Sequence, residues 1–357
     1  MVPYIGKMAV EQKMWLDKGT FLSGVALCQT IPGATAMQVS AYVGLTARGL
    51  PGAAVSFVGF GFPAFLLMVV LSAVYTRTHT LPLVVSVFHG LQAAIVAMVA
   101  NATVSFGKAS LERWRDIILA GVAAGMFGWG INPVLVILLS GVLGIALFNR
   151  QSVAPMPAPV LKPHSPRTLF SLLIVSAIGF ALLFFINRSL FDLGALMFRI
   201  DLFAFGGGFA SVPLMFHEIV EVRSWMDART LLDGIALGQI TPGPIVITAT
   251  FIGYLLYGPV GAAVATLGVF LPSFLILVGV APYFDRLRKA TLFNNAIGGI
   301  LCSFIGLLFT VTIRFALNVA WDIPRLLVGG AALVALLLKV ETVWVVSAAT
   351  LISALAL

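Results

Sequence analysis

The chain has 357 residues, of which 60% are hydrophobic and 10% charged, and its mean hydropathy is +1.08. Those values lie far outside the soluble globular range. The net charge of +8 would suggest nucleic acid as partner of a soluble protein, but here it is read as basic loops that orient a membrane protein, with no nucleic-acid partner.

Residues 1–19 form a short amphipathic stretch. Three lysines (Lys7, Lys13, Lys18) and no apolar core in these residues mean that no cleavable signal peptide is visible. An apolar segment broken by Pro32-Gly33 runs from about Thr20 to Ala47 and is closed by Arg48-Gly49. Spans follow at about Gly52–Tyr75 and Leu81–Phe106, then a short pair, Ile117–Gly130 and Pro133–Phe148, one of which need only enter part of the bilayer. Residues 150–167 hold five prolines and read as an extended linker. An apolar span without counterpart occupies 168–189, and Leu190–Ala210 reads as a further full helix ending in FGGGFA. After a charged stretch, Glu218–Arg229, comes a second broken segment at Pro242-Gly243. Spans at about Gly261–Tyr283, Leu292–Ala316, Leu326–Leu338 and Val343–Leu357 complete the chain.

The two broken segments are copies. A shift of 210 carries Trp225 to Trp15, Asp227 to Asp17, Gln239 to Gln29 and Pro242-Gly243 to Pro32-Gly33. A shift of 209 then carries Gly253 to Gly44, Gly261 to Gly52 and Pro272 to Pro63. The expected fold is therefore an all-α polytopic membrane protein of two homologous halves, residues 1–149 and 190–357. The second half opens with a helix that the first lacks. Either the first repeat has lost it or the natural protein begins upstream of Met1, and the second is favoured. If the broken segments cross the bilayer the halves are inverted; if they are re-entrant hairpins the halves are parallel. Basic residues divide between the two sides in similar proportion under both schemes, so charge does not separate them. Inverted repeats are the adopted expectation.

Pro-Gly inside an apolar run frees backbone groups that hydrocarbon cannot satisfy, so the break must pack against protein or line a wet cavity. Paired breaks at matching places in two halves point to a transporter's binding site. The helix that restarts after each break offers amide donors and the positive end of its dipole to an anion. Gln29, Thr30, Thr35 and Gln38 flank Pro32-Gly33, and Gln239, Thr241, Thr248 and Thr250 flank Pro242-Gly243. They are expected to bind a tetrahedral anion or, alternatively, to pair across helices. Gly206, Gly207 and Gly208 could bring bare amides to the same cavity or serve tight helix packing. Pro63 and Pro272 are expected to kink their helices. Arg199 could attract the substrate or meet a carboxylate on another helix. Among Glu218, Glu221 and Asp233, one could carry a coupling proton, the alternative being solvated helix ends or caps. His217 could titrate near neutrality. Cys28 and Cys302 lie in apolar runs, so neither a disulfide nor a Cys-based metal site is expected. Cys28 could be reachable from a cavity or simply be a small buried residue. No enzyme motif, metal centre or cofactor is indicated.

The stretches FGGGFASVPLM, WMDARTLLDGIALGQITPGPIVITATFIGY and GAAVATLGVFLPSFLI, with TIPGATAMQVSAYVG in the first half, resemble the chromate ion transporter family over nearly the whole chain. The resemblance implies antiparallel homologous halves and outward movement of chromate across the cytoplasmic membrane, with sulfate as the related oxyanion. A homodimer is an allowed assembly. The chain departs from the family pattern where the first-half helix ending in Phe-Gly-Gly is missing. A transporter of another small anion and an inactive membrane subunit are the alternatives.

Overall fold

The computed structural model describes residues 1–148 and 166–356, and among these there are helices and connecting loops but no strands. The linker expected at 150–167 falls almost wholly outside them. Helices α1 (Val2–Gly6), α2 (Lys18–Thr30), α3 (Thr35–Thr78), α4 (Pro82–Ser110), α5 (Trp114–Gly128) and α6 (Pro133–Leu147) precede α7 (Pro166–Ile186). Then come α8 (Arg188–Leu202), α9 (Ser211–Met215), α10 (Ala228–Ile240), α11 (Thr248–Val280), α12 (Phe284–Lys289), α13 (Thr291–Asn318), α14 (Ile323–Leu337) and α15 (Thr342–Ala356). Among the described residues, five helical stretches are long and apolar enough to cross a membrane.

Corresponding elements start in the same way. Asp17 caps α2 by accepting from the Thr20 amide at 2.9 Å, and Asp227 caps α10 by accepting from Thr230 at 2.7 Å. Hydrogen bonding from the Thr20 hydroxyl and amide holds the Asp17 carboxyl below the usual carboxylate range. Both helices run 13 residues, about 20 Å at 1.5 Å per residue, and so end inside a hydrocarbon core of ~30 Å.

Each broken segment folds back on itself. A Cβ on Gly24 would lie 2.2 Å from the Tyr42 ring, and one on Gly234 would lie 2.4 Å from the Phe251 ring. The helices before and after each break therefore pack side by side as a re-entrant hairpin. A second reversal follows within the long helices. Arg48 (φ −141°) and Gly49 (φ 67°) leave helical geometry inside α3, and Tyr257 (φ −140°) and Gly258 (φ 62°) do so inside α11. Only a residue tolerant of positive φ fits the second position of this turn. Backbone dihedrals stay helical through Pro63 and Pro272, so the expected kinks fall elsewhere, at the glycine turns just before Pro51 and Pro259.

The arms of this second reversal touch through glycines. A Cβ on Gly44 would lie 2.2 Å from the Gly52 carbonyl oxygen, and one on Gly253 would lie 2.2 Å from that of Gly261. Gly253→Ala is expected to cost about 1–3 kcal/mol by overpacking against rigid backbone. Gly59→Ala, where nothing lies within 4 Å, should leave thermal unfolding in detergent unchanged. Equal melting curves for the two variants would refute the close approach.

The second arm of α3, residues 50–78, starts at the base of the first hairpin. It ends beside the base of the second, where the Tyr75 hydroxyl donates to Asp233 of α10 at 2.9 Å. One helix about 43 Å long thus separates the two bases. Both breaks fold back, yet the hairpin bases lie at opposite ends of a full-length helix, a combination that the count of crossings did not include. The reason is that Leu190–Ala210 is not one span. Helix α8 stops at Leu202, and Gly206 (φ +94°) and Gly207 (φ +96°) carry an irregular loop.

The halves also exchange packing partners. Gly306 of α13 approaches the Ala120 carbonyl of α5, Gly299 approaches that of Ser140 in α6, and Gly329 of α14 faces that of Ala93 in α4. Helices α4 and α13 meet where Thr103 and Thr312 hydroxyls lie 3.4 Å apart.

Candidate oxyanion site at the meeting of three backbone breaks

The tip of the first hairpin, residues 31–34, is buried and is held by the second half and by Gln38. The Gly33 amide donates to the Ala204 carbonyl at 3.0 Å, and the Ala34 amide donates to Ser273 Oγ at 3.1 Å. Gln38 Nε2 donates to the Pro32 carbonyl at 2.6 Å and to the Ser273 carbonyl at 3.4 Å. Ser273 in turn donates from N and Oγ to Asp201 Oδ2, at 2.9 and 2.6 Å. Gly33 has φ +118° and a Cβ there would fall 1.9 Å from Ser273 Oγ, so glycine is required twice over.

The second tip, residues 241–244, rests on the first half in the same register. Gly243 sits against Ala64, 2.5 Å from a would-be Cβ, and Ala64 is the position that a shift of 209 pairs with Ser273. This tip is tied by its own backbone. The Gly243 amide donates to the Thr241 carbonyl at 2.8 Å, the Thr241 hydroxyl to Gly238 at 2.8 Å and the Thr248 hydroxyl to Ile245 at 2.8 Å.

The glycine loop lies between the tips. A Cβ on Gly207 would lie 3.1 Å from Thr35 Oγ1, and one on Gly208 would lie 2.8 Å from Ile245. Neither helix start facing this loop has a side-chain cap: Ala34 precedes α3, and Pro244 precedes the turn Ile245–Ile247 that leads into α11. Uncapped amides at a helix start are anion donors.

The structure thus brings together Pro32, Gly33, Thr35, Gln38, Gly206, Gly207, Gly208 and the start of the second restart. Other sequence-selected residues stand apart. Gln29 and Pro242 are exposed, and Gln239 and Gly243 are half-buried. Thr250 pairs with Thr266 at 2.7 Å, the cross-helix alternative. Cys28 is fully buried.

The charged candidates are internally paired. Arg199 meets Glu218, the partner-carboxylate alternative, and Arg223 stands 3.6 Å from the same carboxylate. Glu221 pairs with His217 at 2.9 Å and with Arg314, which also donates to the Phe127 carbonyl at 2.8 Å. Asp233 accepts from Tyr75 and, at 2.7 Å, from Gln92 Nε2. Glu218 and Asp233 are only 4% and 7% exposed. They are therefore not solvated helix ends, because each faces a donor on another element. Asp201, Ser273, Gln92 and Tyr75 were not selected from the sequence as site residues. The one available signal for Ser273 was that its repeat partner is Ala64, a polar residue in one half only.

Full-length apolar helices enclosing two interrupted hairpins, whose restarting helices face one glycine loop, define a multi-pass membrane transporter. The chain belongs to the chromate transporter family, whose sequence pattern matches residues 1–145 and 191–354. It is 43% identical to an uncharacterized transporter of Methanocaldococcus jannaschii over 92% of this chain and 82% of that protein. It is 29% identical to a chromate transport protein of Cupriavidus metallidurans, over 94% and 82%. A chromate transport protein of Pseudomonas aeruginosa is 30% identical, over 90% and 77%. No solved structure matches. The family is one of transporters rather than enzymes.

Proposed function

We propose that the chain exports chromate across the cytoplasmic membrane and binds it where the helices restarting after the two breaks face the loop 206–208. The observation that carries this reading is the convergence of two uncapped helix starts on that glycine loop. A tetrahedral dianion takes many hydrogen bonds, and amides at helix starts supply them with a favourable dipole and no fixed cation to make release slow. Sulfate shares this shape and charge and belongs to the same proposed substrate class. The hairpin bases at opposite ends of the second arm of α3 support inverted halves, 1–149 and 190–357, with α7 as the extra crossing that turns the second half over.

Orientation follows from the same frame. Lys18, Arg48, Lys108, Arg286, Arg288 and Lys289 lie toward the first hairpin's base, whereas Arg77, Arg229, Arg314 and Arg325 lie toward the second's. The first base is then cytoplasmic by the positive-inside rule. A homodimer remains part of the proposal and is tested by cross-linking in native membranes.

The decisive experiment is radiolabelled chromate flux into inverted vesicles containing the chain. Saturable uptake suppressed by excess sulfate is expected. Uptake that sulfate leaves untouched would restrict the site to chromate. No uptake from a protein shown to be inserted would overturn the reading.

A further inference from the structure

We infer that Asp201 takes up a proton when the oxyanion binds, with Ser273 linking that proton to the tip of the first hairpin. This rests on the oxyanion site proposed above. Asp201 is 0% exposed. Its Oδ2 holds both Ser273 donors, while Oδ1 is buried without a hydrogen-bond partner, as is Oε1 of Gln38 in the same network. An ionised carboxylate half satisfied inside a membrane protein is costly unless a cation or a proton accompanies it.

No cation does. Asp201 is bonded by Ser273 of α11 and by the backbone of Ala204, whose amide donates to the Asp201 carbonyl at 3.1 Å, and Ser273 in turn meets Ala34 and Gln38 of the first hairpin. None of these side chains titrates. The nearest charge on its own helix, Arg199, is engaged by Glu218 from the segment Phe216–Val222. A network holding two orphan acceptors lacks one donor, and a proton on the carboxyl supplies it.

The link to the anion is direct. Ser273 Oγ gives its hydrogen to Asp201 and accepts from the Ala34 amide, which opens α3 and is among the donors an oxyanion would use. Ionised Asp201 strengthens that internal bond and repels an arriving dianion. Protonated Asp201 relaxes the bond and removes the repulsion. Anion and proton therefore bind together, each raising the affinity for the other by the same factor. The second tip has Ala64 in place of Ser273, so only the first is coupled in this way.

The test uses the purified full chain in detergent with a pH indicator in weak buffer. Chromate is added at alkaline pH, where it is already a dianion and takes up no proton itself. About one proton should be taken up per chromate bound, with affinity falling about tenfold per pH unit once Asp201 is ionised in the free protein. Asp201→Asn should bind chromate with an affinity independent of pH. Binding by the wild-type chain without proton uptake, or binding that requires sodium instead, overturns the inference and leaves the site intact. Failure to bind chromate at all overturns the site, and the inference with it.

Discussion

Gly33→Ala is expected to abolish chromate flux while leaving the amount of inserted protein near that of the wild type. Two penalties fall on one residue. Its backbone has φ +118°, and the added methyl would sit 1.9 Å from Ser273 Oγ and 2.8 Å from Gln38 Nε2. The strained backbone costs ~1–3 kcal/mol, and overpacking adds ~1–3 kcal/mol. The tip can escape only by withdrawing from Ser273. That breaks the bonds from Gly33 to Ala204 and from Ala34 to Ser273 and moves the start of α3 away from the loop 206–208. Insertion depends on the apolar spans and should survive. Gly59→Ala, in open space on the same arm system, serves as the control. Flux in the Gly33 variant within twofold of the wild type would show that the tip is not locked and that the anion does not depend on it.

What the sequence disclosed here was periodicity and local chemistry. The repeat paired Asp17 with Asp227 and closed the first broken segment at Arg48-Gly49, and the structure makes these two helix caps and a turn because capping and positive φ are decided by a few adjacent residues. It left open whether the broken segments fold back, since apolar residues read the same whether a helix continues toward the far leaflet or meets its own return arm. The contact of Gly24 with Tyr42 is what distinguishes them. Leu190–Ala210 read as one helix for a related reason: most of its residues are apolar despite Asp192, Arg199 and Asp201, and the interruption is set by two glycines at positive φ that face Phe304 and Thr35 from distant segments. Most hidden of all was the network around Ser273. Its partners lie 72 residues away at Asp201 and 239 away at Ala34, and no spacing rule reaches that far.

Asp233 likewise lies far in sequence from the groups that hold it, 158 residues from Tyr75 and 141 from Gln92, and this makes it the place where the two halves should be easiest to uncouple. Asp233→Leu should strongly destabilise the fold. The substitution leaves the Tyr75 hydroxyl and the Gln92 amide buried without their acceptor, at ~1–3 kcal/mol for each orphaned group. Asp233→Asn keeps an acceptor oxygen for one of them and should lose about half as much. Native thiols report the change, because Cys28 in the first hairpin and Cys302 in α13 are both fully buried, so labelling in detergent should quicken in the leucine variant. Adding Gln92→Leu removes one of the orphaned donors, and the double variant should therefore recover part of the loss instead of adding to it. If the two substitutions were simply additive, the hydrogen bond would carry no coupling. Helix α4 would then not be tied to the second hairpin through Gln92, and the Tyr75 bond alone would join Asp233 to the second arm of α3.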